Sequence, residues 1–334
     1  MIAEVIRKAV DGRDLGSEEA NAAMSEIMSG GASPVQIAAF LVAMRMKGET
    51  VEEVTEFARV MRAHVRPVTP SRRPVVDTCG TGGDAIKTFN VSTAAAFVAA
   101  GAGVAVAKHG NRSVTSKCGS ADVLEALGVR FDLTPEECAR SIDEIGLGFI
   151  FAPSYHPAMK HAGPVRRELG IRTVFNMLGP LTNPAAAEAQ VLGVYSPALT
   201  EIHASVLRNL GSKRAFVVHG AGGLDEISTF GETRITELRD GSLTTYDLSP
   251  EEVGLRRAAG PEAVCGAGPE ENARRLVGIL EGEEGPARDI VMVNAAAAIA
   301  AGGLAATLAD GVRVAAEAVD SGAALGKLRQ LQGF

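Results

Sequence analysis

The chain has 334 residues, 46% hydrophobic and 22% charged, with a formal net charge of −7. That balance describes one large or two unequal globular domains and excludes a disordered chain. The acidic surplus argues against a nucleic-acid partner, so any anionic ligand needs a local pocket and not a general positive field.

The opening "MIAEVIRKAV" carries Glu4, Arg7 and Lys8 where a secretory signal needs an apolar stretch. The longest apolar run, 94–107, is too short to span a bilayer and holds Gly101 and Gly103. Four widely spaced cysteines form no CxxC pair and no zinc signature. Together these predict a soluble cytoplasmic protein with no membrane partner.

Up to about residue 66 only helices are expected. "GSEEANAAMSEIM" takes Ser17 as N-cap with two glutamates in its first turn. "SPVQIAAFLVAMRMKG" has Ser33 as cap, Pro34 at the first helical position and Gly48 as stop. "TVEEVTEFARVMRAH" opens on a capping box from Thr50 to Glu53 and must end before Pro67. Helical spacing of the apolar residues predicts a small all-helical unit over 1–70.

After "SRRP" (71–74) the pattern changes to short apolar runs: "PVVDTC", "GVAVAK", "LGFIFA", "AQVLGVY" and "RAFVVHG". Helical stretches such as "STAAAFVAA" and "LTEIHASVLRNLG" lie between them. The alternation predicts an α/β domain over 71–334 with a mainly parallel sheet, its site at the carboxyl ends of the strands.

Two loops carry the chemistry. "DTCGTGGDAIKT" follows the first strand, and three readings compete for it. A Walker A loop fails because Ile86 stands where glycine is required before Lys87. A dinucleotide fingerprint over Gly80, Gly82 and Ala85 lacks its acid, since the next strand ends in Lys108 and His109. The third reading is a nest of backbone N–H groups, which glycines form by accepting positive φ. "NVST" then opens a helix with Ser92 or Thr93 as cap. The second loop, "KHGNRSVTSKCGSAD" (108–122), gathers Lys, His, Asn, Arg and hydroxyls before another helix. Two anion-binding loops on adjacent strands suit a ligand with two separate phosphate groups.

"DTCGTGGD", "FNVST", "KHGNRSVTSKCGSADVLEALG", "HPAMKHAGPVRRELGIRTVFNMLGPLTNP" and "VVHGAGGLDEIS" together resemble the anthranilate phosphoribosyltransferases of tryptophan biosynthesis. The resemblance implies transfer of phosphoribose from phosphoribosyl pyrophosphate (PRPP) to the amino group of anthranilate. It implies PRPP contacts at Gly80, Gly83, Asp84, Thr88, Asn90, Val91, Ser92 and Thr93. A second group runs through Lys108, His109, Gly110, Asn111, Arg112, Ser113, Val114, Thr115 and Ser116, with Ser120. Gly80, Asn111 and Arg166 are implied for anthranilate, with His109 and Tyr155 as further candidates for an aromatic wall. Asp225, Glu226 and Ser92 are implied for Mg²⁺, with two ions in the PRPP complex. It also implies a homodimer formed through the helical domain, which helices from about 165–185 join. Cys118 stands where serine is the more usual residue.

No covalent nucleophile is assigned, and Cys79 and Cys118 are read as packing residues. A pyrimidine nucleoside phosphorylase and a non-catalytic nucleotide-binding regulator are the rival readings. The glycine loop and "GSADVLEALG" favour the transferase over the first, and the Asp225–Glu226 pair speaks against the second.

Overall fold

The computed structural model describes residues 1–83, 86–113 and 117–334. The chain begins with α1 (Ile2–Val10), α2 (Ser17–Met28), α3 (Pro34–Lys47) and α4 (Val51–Ala63). Ser33 and Thr50 cap α3 and α4 as the sequence predicts, each in a reciprocal box with Gln36 or Glu53. α2 differs by one position: Gly16 is the cap and Ser17 the first helical residue.

The α/β part follows as β1 (Val75–Gly80), α5 (Val91–Gly101), β2 (Ala105–Gly110), α6 (Ser120–Ala126), α7 (Pro135–Ile145), β3 (Leu147–Phe151), α8 (Ala152–Tyr155), α9 (Met159–Leu169), α10 (Val174–Leu178) and β4 (Ala189–Gly193). It continues with α11 (Leu199–Asn209), β5 (Arg214–Gly220), β6 (Thr233–Arg239), β7 (Ser242–Leu248), α12 (Pro269–Leu280), α13 (Pro286–Ala301), α14 (Leu308–Asp320) and α15 (Ala323–Gln332). The sheet order is β3-β2-β1-β4-β5-β6-β7. β1 to β5 run parallel, while β6 and β7 add an antiparallel hairpin at one edge. Sequence reading missed that hairpin. Its turn is Asp240–Gly241, both at positive φ (49° and 84°), a geometry that suits the right-handed twist of two joined strands.

Chain order reverses between β1 and β4, with Gly80 paired beside Gly193 in register. A crevice outside the strand ends opens at such a switch point, and ligands of doubly wound sheets bind there. α5 is buried along nearly its whole length, because it lies on the sheet beneath α13 and α15. That surrounding explains the alanine-rich runs of α5 and α13: small side chains let helices approach closely. On the other face, one apolar core joins Phe40 and Phe57 of the helical unit to Val174 and Leu178 of α10 and to Leu192 and Val217 of the sheet. Ala162 and Val165 of α9 belong to the same core. The chain therefore places α9 and α10, remote in sequence, among the N-terminal helices. No helix among the described residues is long and apolar enough to cross a membrane.

One buried ion pair ties α3 and α4 to each other and to the connection between α1 and α2. The Glu53 carboxylate accepts from Leu15 N–H (2.7 Å), Thr50 N–H (2.8 Å) and Lys47 Nζ (2.9 Å). Both side chains are almost wholly buried, at 0% and 2% exposure. Removing one partner of such a pair leaves an uncompensated charge, which costs about 3–5 kcal/mol. Lys47→Met is expected to lower the stability of the folded chain by about that amount. Urea unfolding followed by circular dichroism checks it, with a fall below about 1 kcal/mol ruling the pair out as the joint.

Candidate active site

The site is built where strands end in glycine. β1, β2, β4 and β5 close on Gly80, Gly110, Gly193 and Gly220. The loop carrying Asp225 and Glu226 lies directly across two of these ends. A Cβ on Gly80 would overlap the Asp225 carboxylate, and one on Gly193 would overlap the Asp225 backbone. Only bare backbone at the switch point admits that loop. Beside it, Gly82 and Gly83 take left-handed φ of 67° and 76°, the conformation a nest requires. Gly82 N–H donates to Asp225 Oδ2 at 2.9 Å, so the glycine loop already receives an anionic oxygen.

Asp225, Glu226, Ser92, Thr78, Cys79 and Asn294 line one small cavity at this place. Lys108 reaches it from β2, its Nζ donating to the Thr78 carbonyl (2.5 Å) and to Ser92 Oγ (3.1 Å). Burial pulls the Lys108 pKa down, while Asp77, Cys79, Glu226 and Asp225 oppose that fall. Ser92 is not the helix cap expected from the sequence. Asn90 holds that position and Ser92 and Thr93 sit in the first turn, which leaves the Ser92 hydroxyl to Lys108. Lys108, His109 and Gly110 belong to β2 itself, so the second loop begins at Asn111.

Strand alternation sends the neighbours of these residues to the opposite face. His109 points away from Lys108 and packs its ring against His156, with Nε2 atoms 3.1 Å apart. Its backbone N–H donates to Asp77 Oδ1 at 3.0 Å. Burial, then the neighbouring His156, brings His109 down to about 3, and burial brings His156 down to about 4. Both rings are neutral at pH 7. Tyr155 is buried with its hydroxyl donating to the Leu133 carbonyl (2.8 Å), so its ring is core and not an open wall.

Other expected residues fall into three groups. Val91 is wholly buried, Thr88 pairs with Cys265, and Ser120 Oγ bonds the Asn111 backbone. The Arg112 guanidinium is taken up by Asp122 and Glu125, each at 2.8 Å, and stacks on Phe131, while the Ser113 N–H donates to Asp122 (3.0 Å). Arg112 thus faces α6, an arrangement its position in the loop did not suggest. Asp84, Val114, Thr115 and Ser116 lie outside the described residues.

Arg166 stands apart on α9. It is half-buried over the Phe175 ring at 5.1 Å, burial lowers its pKa, and it forms no ion pair among the described residues. A desolvated guanidinium without a carboxylate is suited to receive one from a ligand.

Sequence reading missed two residues. Arg172 donates to the Gly83 carbonyl and stacks on Tyr195 at 4.2 Å, clasping the glycine loop from the α9–α10 connection. Asn294 accepts from Ile227 N–H (2.9 Å) and donates to the Ile227 and Ile290 carbonyls (3.0 and 2.8 Å), anchoring the residue that follows the acid pair. A polar amide in the otherwise apolar run "NAAAAIAA" was the available signal.

Residues 72–325 match the family model described as the α/β domain of a glycosyl transferase family, and residues 3–65 match that of its helical bundle domain. An anthranilate phosphoribosyltransferase of Symbiobacterium thermophilum is 57% identical over 330 residues, which is 99% of this chain and 96% of that one. The chain belongs to the anthranilate phosphoribosyltransferase family. A crystal structure of that enzyme from Thermus thermophilus superposes with a TM-score of 0.93 at 49% identity, covering 98% of each chain. The Saccharomyces cerevisiae enzyme in complex with PRPP and Mg superposes at 0.89 with 30% identity, covering 99% of this chain and 96% of that one. A glycine loop and an acid pair on one switch point are thus set in a frame shared by the family from bacteria to yeast.

The neutral histidine pair has a consequence for stability. Unfolded imidazoles titrate near 6.5, whereas these two stay uncharged far below that in the folded state. Between about pH 6.5 and 4 the unfolded chain binds protons that the folded chain refuses, so stability falls as pH falls. Replacing His156 by Gln should make that fall shallower, by up to about 1.4 kcal/mol per pH unit. Denaturant unfolding at pH 7, 6 and 5 checks it; equal slopes in both proteins would mean that His156 takes up its proton in the folded chain as it does in the unfolded one.

Proposed function

We infer that the chain transfers the phosphoribosyl group of PRPP to the amino group of anthranilate, giving N-(5-phosphoribosyl)anthranilate and pyrophosphate. The observation that carries this reading is the placement of a positive-φ glycine loop, a buried lysine and an acid pair at one switch point, in a chain 57% identical to named anthranilate phosphoribosyltransferases along its full length.

In this reading the amides of Gly82 and Gly83 hold the diphosphate, and Lys108 holds the Ser92 hydroxyl from behind. The C1–O bond breaks with its electron pair leaving on pyrophosphate, and the anthranilate nitrogen forms the new C1–N bond. Such a reaction needs alignment and charge stabilisation more than a strong base. The chain offers no thiolate for covalent catalysis from its buried cysteines: burial raises Cys79 well above the ordinary thiol value, Cys118 to about 11 and Cys138 to about 12. Arg166 receives the anthranilate carboxylate in a two-pronged contact.

The donor set fits Mg²⁺. Asp225, Glu226 and Ser92 line one cavity and present only oxygen ligands, which this ion prefers, and two carboxylates leave room for waters and phosphate oxygens. When bound, the metal offsets the charge of the diphosphate; we assign two ions to the PRPP complex. Asn294 serves the same residues by holding Ile227 in place.

Fluorescence loss of anthranilate in the presence of PRPP and Mg²⁺ tests the reaction, with thymidine or uridine plus phosphate as the contrasting mixture. Turnover in the second mixture and none in the first would overturn the reading. The double change Asp225→Asn with Glu226→Gln should leave the fold intact, lower kcat at least about a hundredfold and raise the Mg²⁺ requirement. An unaltered Mg²⁺ dependence would remove the pair from the site.

We further propose a helical domain of residues 1–70 joined by 165–185, an α/β domain of 71–334, and a cytoplasmic homodimer. Support for the dimer comes from α3, which carries a second apolar stripe of Val35, Ala39, Val42 and Met46 on its outer side. Val35 and Met46 are 79% and 83% exposed, with Val10 of the neighbouring α1 at 70%. Glutamate at both Val35 and Met46 should give a folded monomer by sedimentation equilibrium. A dimer that persisted would place the interface elsewhere.

A further inference from the structure

The glycine loop and the second loop meet at one carboxamide, that of Asn90. Asn90 stands at the N-cap position of α5 with no side-chain cap bond, and its Nδ2 donates instead to the Cys118 carbonyl at 3.2 Å. Its Oδ1 accepts from Cys118 Sγ at 3.3 Å and from Asn272 Nδ2 at 3.1 Å. Asn272 is 2% exposed on α12, and its Oδ1 accepts the Ala267 N–H at 2.9 Å. The same C-terminal segment backs the end of the glycine loop, from Lys87 to Phe89. Phe89 N–H donates to the Val264 carbonyl (3.1 Å) and Gly266 N–H to the Lys87 carbonyl (2.9 Å). Arg275 closes the arrangement, donating to the Cys265 carbonyl at 2.7 Å and stacking on Phe89 at 5.3 Å.

The direction of every bond in this joint follows from one group. A backbone N–H can only donate, so Ala267 forces the Asn272 oxygen toward itself and the amide nitrogen toward Asn90. Asn90 must then present its oxygen to Asn272, which turns its nitrogen to the Cys118 carbonyl. The chain of donors is self-consistent and has one orientation. Asn272 thereby determines how Asn90 faces, and Asn90 determines how far apart the two anion loops stand.

We propose that Asn272 is a positioning residue for PRPP, holding both anion-binding loops in register through Asn90 without touching the ligand. The proposal rests on the assignment of PRPP to these loops. Asn272→Asp tests it with the change of a single group. The carboxylate still accepts from Ala267, but its other oxygen meets the Asn90 oxygen. If Asn90 turned over to relieve that contact, its oxygen would face the Cys118 carbonyl. Neither orientation satisfies the joint, and a broken buried hydrogen bond of this kind is worth about a tenfold loss in affinity.

The measurements are PRPP binding by calorimetry with Mg²⁺ present, steady-state kinetics in both substrates, and alkylation of Cys118 followed by peptide mass spectrometry. Expected for Asn272→Asp are PRPP Kd and KM about tenfold higher, with kcat and the anthranilate KM within about twofold of wild type. Cys118, buried in the native joint, should alkylate faster. A merely structural loss would lower kcat and both affinities together, and that result would overturn the proposal. So would faster Cys118 alkylation with unchanged PRPP affinity. If Asn272→Asp does not fold, Asn272→Ser, which keeps a small polar group at the site, takes the same measurements with the same outcomes deciding. Wild-type protein that bound no PRPP would instead overturn the assignment of the loops, a result distinguishable from every outcome in the variant.

Discussion

The approach of the Asp225 loop to the bare strand ends at Gly80 and Gly193 is the contact on which the site depends. Those glycines are neighbours in register across the switch point, and each lacks the one carbon atom that would collide with Asp225. Closing this gap brings an acid pair from beyond β5 against the glycine loop beyond β1, so that Gly82 N–H meets a carboxylate oxygen. A side chain at either position would push the loop outward and separate the acids from Ser92 and Lys108. Gly82 and Gly83 both take positive φ there, and the Gly82 amide is the one that meets Asp225.

The sheet divides its polar residues by parity. Thr78 and Lys108 face α5 and the acid pair, whereas Asp77, Cys79 and His109 face the other way, toward Asn183, Gln190 and His156. The first set places a buried amine and a buried hydroxyl beside Ser92. The second is so thoroughly desolvated that its histidines are neutral and its thiol is un-ionised. Two separate sets of polar partners therefore lie one peptide apart on the same strand. Arg166, on the helix that joins the N-terminal bundle, brings a half-buried guanidinium that Phe175 covers.

Much of this was legible in the residues. The capping boxes at Ser33 and Thr50, the five parallel strands and the glycine loop each carry a local signal that needs no tertiary partner: a hydrogen bond three residues away, an apolar run bounded by turns, a backbone free of Cβ. The hairpin of β6 and β7 was also signalled, by Asp240–Gly241 between alternating runs. Ser92 misled as a cap because the helix begins two residues earlier, with Asn90 at the cap position making no side-chain cap bond and the Ser92 hydroxyl bonded to Lys108 of another strand.

Residues a few positions apart settle which segments are helix and strand and which loops are rich in backbone donors, so those features could be read before any fold was known. No such local rule directs the Arg112 charge to Asp122 and Glu125, or lays His109 against His156. Nor does one bring Asn272 to Asn90, 182 residues earlier, or Asn294 to Ile227. Each of those bonds is decided by which strands become neighbours and which face a side chain leaves by. That is a property of the packed sheet, where a polar group must find its partner within about 3 Å wherever the chain happens to supply one.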